Sequence, residues 1–433
     1  MTEKTNYLGR LLTESQLKPE LQLQAQTLPS IIERKKEFYC NRCDSFIDRE
    51  EQQLPNGVYY CRECILLGRI RSDEKLFYFP QEKFPKNQVL NWTGNLTSSQ
   101  AKIANKLVSN YQKKKNSLVH AVTGAGKTEM IYQIVTKVIN DGGAVCLASP
   151  RIDVCLELYR RFKQDFSCDI SLLHGNSDSY FRSPLVIATT HQLLKFYQAF
   201  DLMIVDEVDA FPYVDNPVLY HAVKQAVKKE GNSIFLTATS TDQLDKKVRR
   251  GELECLSLPK RFHGNPLPIP KKIWLNKFTN YLKKGQIPPK LKQSIANQRK
   301  SKFPLLLFIP EIDMGKSFAN ILQQIFPDEN IGFVSSVTEN RVDLVEQFRK
   351  QSLTILVSTS ILERGVTFPC IDVFVVQANH YLFNRSTLIQ IAGRVGRSLE
   401  RPTGELIFFQ NGSNHSIEGA IQEIKKMNRE AKQ

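Results

Sequence analysis

AVTGAGKT, residues Ala121 to Thr128, decides how this chain is read. Gly124 and Gly126, with Ala125 between them, let a backbone turn approach phosphate oxygens closely. Lys127 directs a positive charge at β- and γ-phosphates, and the Thr128 hydroxyl is a ligand for Mg²⁺. The general pattern GxxxxGK[ST] has a glycine where Ala121 stands, so the loop is of the AxxGxGKT form and its context must support it. Ser117 to Val122 is an apolar run that predicts a strand entering the loop. Met130, Ile131, Ile134, Val135 and Val138 then recur at helical spacing between Lys127 and Asn140, and Asp141-Gly142-Gly143 ends the pattern. Strand, glycine-rich loop and helix in this order are the setting the motif requires, which disfavours a bare glycine turn. A nucleoside triphosphate loop follows.

Downstream, short apolar runs alternate with amphipathic segments: Ala144 to Ser149, Ile170 to Leu173, Leu185 to Thr189, Leu202 to Asp206, Ile234 to Thr237. The alternation predicts an α/β fold with a parallel sheet. The fourth run ends in Asp206-Glu207-Val208-Asp209, where strand ends open on a ligand crevice. Asp206 is placed to hold Mg²⁺ through its water shell, and Glu207 to orient or deprotonate an attacking water.

At 433 residues the chain exceeds what one core organises, so two large domains and a small extra module are expected. Hydrophobic residues make up 41% and charged ones 24%, which excludes gross disorder, and no apolar run is long enough to cross a bilayer. The start, MTEKTNYLGR, lacks the apolar core of a signal peptide, and a cytoplasmic protein is expected. A net charge of +15 and a pI near 9.3 suit a polyanionic partner, a nucleic acid or a membrane surface.

Four of the nine cysteines form two CxxC knuckles, Cys40-Asn41-Arg42-Cys43 and Cys61-Arg62-Glu63-Cys64, separated by 17 residues. The spacing is that of a zinc ribbon. The Leu54-Pro55-Asn56-Gly57 turn before Val58-Tyr59-Tyr60 predicts the hairpin that brings the knuckles together. Four thiolates leave no open coordination position, so Cys40, Cys43, Cys61 and Cys64 predict structural Zn²⁺ in a module too small to fold without it. Cys146, Cys155, Cys168, Cys255 and Cys370 are scattered and read as packing or surface residues.

Further blocks complete a set. AVTGAGKT, ASPR (Ala148 to Arg151), ATTHQLL (Ala188 to Leu194), DEVD, TATS (Thr237 to Ser240), LLFIP (Leu306 to Pro310), STSILERGVTFP (Ser358 to Pro369) and QIAGRVGR (Gln390 to Arg397) resemble, in order, the motifs of superfamily 2 helicases. The resemblance implies two tandem RecA-like domains with parallel sheets, ATP and Mg²⁺ between them and a nucleic-acid strand crossing both. Gln390, Arg394 and Arg397 are expected on one face of a single helix, and in the family such arginines reach the γ-phosphate, where a forked guanidinium stabilises departing charge. By the same resemblance Thr237 and Thr239 link hydrolysis to domain closure, and Gln100 in Leu96-Thr97-Ser98-Ser99-Gln100 reads adenine. Pro150, Arg151, Thr190, His191, Gln192 and Thr359 fall where the family contacts the nucleic-acid backbone, with little sequence preference.

DEVD, TAT and QxxGRxGR differ from the DEAD, SAT and HRxGR of RNA helicases of the DEAD-box type, which disfavours RNA. Only 36 residues follow Arg397, enough to finish a second domain with a strand at Glu405 to Gln410 and a helix at Ile417 to Met427, so no strand-separating wedge is expected there. A tetracysteine module ahead of this core resembles the late competence DNA-uptake ATPase family, ComFA. The resemblance implies an ATP-driven translocase at the inner face of the cytoplasmic membrane, pulling one DNA strand inward. Its partners would be single-stranded DNA, a competence channel protein and a phosphoribosyltransferase-like competence protein, with membrane association through partners and homo-oligomerisation left open. The alternatives are a replication-restart or repair helicase, and a zinc-organised DNA-binding scaffold whose nucleotide only sets its conformation. The expected layout is an arm at 1–38 with a short helix through Leu8, Leu11 and Leu12, the cysteine module at 39–70, a connector at 71–92, RecA-like domains at 93–258 and 273–433, and between them a stiff, proline-rich linker at 259–272 acting as the hinge region.

Overall fold

The computed structural model describes residues 3–431. The chain divides into two compact units: residues 1–119 with 127–256, and residues 120–126 with 257–433.

The first large sheet has seven strands in the order Glu254–Leu258, Ser117–Ala121, Val227–Thr237, Phe200–Val205, Val145–Ser149, Leu185–Thr189, Ile170–Leu173. From Val227–Thr237 to Ile170–Leu173 every neighbouring pair is parallel. Val145–Ser149 and Leu185–Thr189 are buried along their whole length, which is why they read as unbroken apolar runs rather than alternating ones. The helix Lys127–Asn140 lies at its expected limits and buries Met130, Ile131, Ile134, Val135 and Val138. The strands that lead into AVTGAGKT, TATS and DEVD are consecutive neighbours in this sheet, so the sheet order itself collects those segments.

The second large sheet has six strands, all parallel: Lys271–Trp274, Leu406–Gln410, Asp372–Val375, Leu305–Phe308, Ile355–Ser358, Ile331–Val334. The helix His415–Glu430 packs through Ile417, Ala420, Ile421, Ile424 and Met427. The proline-rich linker is tied to this unit. Leu267 donates its N–H to Asn428 Oδ1 and accepts from Asn428 Nδ2, both at 2.8 Å.

The N-terminal region departs from expectation. No helix runs through Leu8, Leu11 and Leu12; Leu11–Thr13 is a strand, antiparallel to Lys75–Tyr78, which also pairs with Gln26–Pro29. All three leucines are buried, Leu8 and Leu12 in a small core with Leu17, Phe77 and Phe79. The partner strand lies more than 60 residues away, so local spacing does not reveal it. A second small sheet, Ile31–Arg34, Glu37–Cys40 and Phe46–Ile47, carries the first knuckle. Within the first unit this region packs against the large domain. Gly9 accepts from Tyr197 N–H at 3.0 Å, and with a φ of +75° it lies so close that a Cβ would meet Ala199 Cβ at 2.8 Å. Asn41 O accepts from Gln225 Nε2 at 3.0 Å.

Candidate nucleotide and metal sites

The phosphate loop has the predicted backbone. Gly124 and Gly126 adopt φ of +79° and +75°, angles that put successive N–H groups on one side of the turn and that side chains with a Cβ disfavour. Ala125 N–H closes the turn on Val122 O at 3.1 Å. Lys127 and Thr128 open the helix Lys127–Asn140, so the helix N-terminus adds its partial positive charge to the loop. Thr128 Oγ1 accepts from Arg161 Nη1 at 3.2 Å, and Arg161 also pairs with Glu129. The sequence pattern did not single out Arg161, because its partner lies 33 residues upstream.

The acidic turn follows directly on the strand Phe200–Val205. Asp206 N–H donates to Ala148 O at 2.8 Å, and Asp206 Oδ1 accepts from Glu207 N–H at 2.8 Å. Glu207 itself has φ +54°, the left-handed region that non-glycine residues enter at a cost. Asp209, at the end of DEVD, takes a role that spacing did not assign. Thr237 Oγ1 lies 2.9 Å from Asp209 Oδ1 and 2.5 Å from Thr239 O, and Thr239 Oγ1 donates to Asp209 Oδ2 at 2.5 Å. All three side chains are buried. The acidic motif and TATS are thereby one hydrogen-bonded network.

Gln100 occupies a position with a second use. Its Oε1 accepts from Thr97 N–H at 2.9 Å, and its N–H donates to Thr97 Oγ1 at 3.3 Å. This is a capping box at the start of the helix Ser98–Gln112, and T-x-x-Q before a helical pattern is its sequence signature. Of the residues expected on a nucleic-acid strand, His191 is exposed and Arg151 half-buried, whereas Pro150, Thr190 and Gln192 are buried. The short helix Thr190–Lys195 turns Thr190, Leu193 and Leu194 inward. In the second unit Thr359 and Ser360 line a groove of about 490 Å³ with Pro310, Glu311, Asp313 and Ser336.

Gln390 lies in the helix Arg385–Ala392, but Arg394 and Arg397 lie beyond its end, which corrects the expected single helical face. Gly393 caps the helix, and Arg394 and Val395 N–H donate three residues back, to Ile391 O and Ala392 O. The arginines therefore sit on a turn. Arg394 is 1% exposed and its Nε donates to Glu363 O at 3.1 Å, while Arg397 Nε donates to Gly393 O at 2.9 Å.

The four knuckle sulfurs lie within 4.8 Å of one another, Cys40 to Cys64 at 3.8 Å and Cys43 to Cys61 at 3.5 Å. A Zn²⁺ ion about 2.3 Å from four sulfurs in a tetrahedron separates them by about 3.8 Å. The cluster fits that ion, and the distances exclude disulfides. The intervening hairpin forms as expected, with Leu54 N–H on Val58 O at 2.8 Å. Arg42, fully buried, donates from Nε to Cys64 Sγ at 3.4 Å and from its terminal nitrogens to Cys64 O, Leu67 O and Gly68 O. Hydrogen bonds from Cys40, Cys43 and Cys61, with the Arg42 charge added, hold the Cys64 thiol well below its ordinary range. Such a thiolate is the form a metal binds.

Known proteins resemble this chain end to end. It is 64% identical over 431 residues to the competence protein ComFA of Streptococcus pneumoniae, covering all of both chains. The chain belongs to the ComFA family. The ComFA protein of Bacillus subtilis is 39% identical over 406 residues, which cover 92% of this chain and 87% of that one. The model of the ComFA N-terminal domain matches residues 12–78, the span of the antiparallel sheet and both knuckles together. Models of the DEAD/DEAH box helicase domain and of the helicase conserved C-terminal domain match 97–246 and 287–398. The ComFA core is thus a superfamily 2 helicase-like ATPase of two RecA-like domains. The same fold is found in Mycobacterium smegmatis helicase Lhr, solved with ssDNA and AMP-PNP, with a TM-score of 0.59 at 16% identity over 78% of this chain and 48% of that one. No helix among the described residues is long and apolar enough to cross a membrane.

Proposed function

We propose that this ComFA protein is a single-stranded-DNA-stimulated ATPase that converts hydrolysis into movement along the strand and so powers uptake of transforming DNA. The observation that carries the reading is the buried network of Asp209 with Thr237 and Thr239. A scaffold that merely held nucleotide would need the phosphate loop but not a wired connection from the acidic turn to a second motif. In the proposed cycle Lys127 and the loop N–H groups hold the phosphates, and Thr128 and Asp206 hold Mg²⁺, which supplies charge neutralisation when bound. Glu207 takes the proton of the attacking water at its carboxylate, and Arg394 and Arg397 offset charge on the departing phosphoryl group. The net charge of +15 supports a polyanionic track. The protein acts at the inner face of the cytoplasmic membrane, held there by partners, for which the family suggests a channel protein and a phosphoribosyltransferase-like protein.

The test compares ATPase rates with single-stranded DNA, duplex DNA, RNA and no nucleic acid at one salt concentration. Single-stranded DNA should stimulate most. Equal rates in all four would overturn the reading, and efficient separation of a forked duplex would move it toward a restart or repair helicase.

A further inference from the structure

The linker expected to act as a hinge carries a buried arginine. Arg261 is 2% exposed, and among the described residues it meets no carboxylate. Its Nη1 donates to Val395 O at 2.9 Å and to Gly396 O at 2.7 Å, and its Nη2 reaches Gly393 O at 3.3 Å. His263 adds a fourth contact: its Nε2 lies 3.0 Å from Gly396 O, and its Nδ1 accepts from Asn265 N–H at 3.2 Å, so Nε2 carries the proton and donates. All of these groups belong to the second unit.

The carbonyls concerned are those of the turn that presents Arg394 and Arg397. They lie past the end of the helix Arg385–Ala392, where the backbone no longer supplies donors and a cation is favoured by the helix dipole. A guanidinium has five N–H donors in a fixed fork, so one side chain can span three carbonyls of a tight turn, whereas an ammonium's three donors all leave one nitrogen and lack that spread. Gly393 O is shared, receiving both Arg397 Nε and Arg261 Nη2. Both guanidiniums bond the same carbonyl, so a change at Arg261 reaches Arg397 through Gly393 O. Glu363 O accepts from Arg394 Nε.

We propose that Arg261 is a positioning residue for ATP hydrolysis: it clamps the turn 393–396 and thereby fixes Arg394 and Arg397 where the terminal phosphoryl group departs. The inference rests on the reading of those two arginines as phosphate-facing.

The test uses the full-length protein and basal as well as DNA-stimulated ATPase. Arg261→Ala should lower kcat about 10- to 100-fold, the scale of an ångström of misplacement, with the KM for ATP within about twofold. Binding of ADP with aluminium fluoride should weaken by the same factor while a non-hydrolysable ATP analogue binds as before. In an Arg394→Ala background the same substitution should cause no further loss. Arg261→Lys, which keeps the charge but not the fork, should recover the thermal stability of the wild type and only part of its kcat. An unchanged kcat in Arg261→Ala, losses that multiply in the double variant, or an equal weakening of the ATP analogue overturns the proposal. If Arg394→Ala alone hydrolyses ATP normally, it is the reading of the phosphate-facing arginines that fails.

Discussion

Asp209 has no phosphate role in the DEVD pattern, yet its carboxylate joins the two threonines of TATS across 28 and 30 residues of sequence. Asp209→Asn keeps the shape but turns one acceptor into a donor facing threonine hydroxyls, leaving buried polar groups mispaired at about 1–3 kcal/mol. Because the phosphate loop is untouched, nucleotide binding should be retained, and the DNA-stimulated excess of hydrolysis should fall roughly tenfold, within the usual range of coupling between sites. Rates with and without single-stranded DNA check this; a variant stimulated as strongly as wild type would dissociate TATS from coupling. The contrast with Lys127, Thr128, Asp206 and Glu207 explains what the sequence could reveal. The positions of those four are legible because each falls next to a strand end or a helix start in the chain itself. Asp209, Arg161, Arg42 and Arg261 act on partners that only folding brings near, and no spacing reports them. Gln100 is an intermediate case: the Thr97–Gln100 cap was readable from T-x-x-Q, beside the resemblance that made it an adenine reader.

Among the elements, those whose apolar pattern is continuous or strongly periodic were legible almost to the residue, as with Lys127–Asn140, Ile170–Leu173 and Leu185–Thr189. Misreadings occurred where a short stretch depends on distant pairing or on a cap. Leu11 and Leu12 form a strand because Tyr78 and Phe77 lie opposite, and the helix Arg385–Ala392 stops at Gly393 before its arginines. The cysteine module was legible because four thiolates at zinc-ribbon spacing leave few alternatives. With a divalent ion bound, its buried Arg42 would offset the negative charge that four thiolates leave around it. Replacing both Cys40 and Cys43 by Ser should release one equivalent of zinc and unfold the 12–78 module while ATP still binds. Arg42→Ala should retain the fold at saturating zinc but weaken zinc affinity about 10- to 100-fold, as outer-shell substitutions do. Titration against a coloured chelator measures both; wild-type affinity in Arg42→Ala would make that arginine a packing residue alone.

For the whole molecule, two parallel sheets and a four-cysteine module followed from motif order and composition, but not how that module is fastened to the large sheet of the first unit. Arg10 supplies one fastening, beside the Gln225–Asn41 hydrogen bond at the first knuckle. Its guanidinium stacks over Tyr180 at 4.6 Å and Phe196 at 5.1 Å, and its Nε donates to Lys195 O at 3.2 Å. Burial presses its pKa down, the mark of a cation taken out of water, where stacking on an aromatic face contributes about 2 kcal/mol or more. Gly9, next to it, holds the backbone against Ala199, and Tyr78 packs on Tyr197 with ring centroids 4.7 Å apart. The module is therefore fixed to the ATPase domain, and movement of that domain carries the cysteine cluster with it. Arg10→Ala should loosen the Leu11–Thr13 and Lys75–Tyr78 strands against the ATPase domain without unfolding either part. Hydrogen exchange should speed up in Leu11–Thr13 and Lys75–Tyr78 yet stay slow in Val145–Ser149, with zinc content unchanged. If the basal ATPase is retained while DNA stimulation falls, attachment of the module is part of how the protein grips its strand. Exchange that accelerates uniformly through the first unit would instead make Arg10 a general stabiliser of that unit.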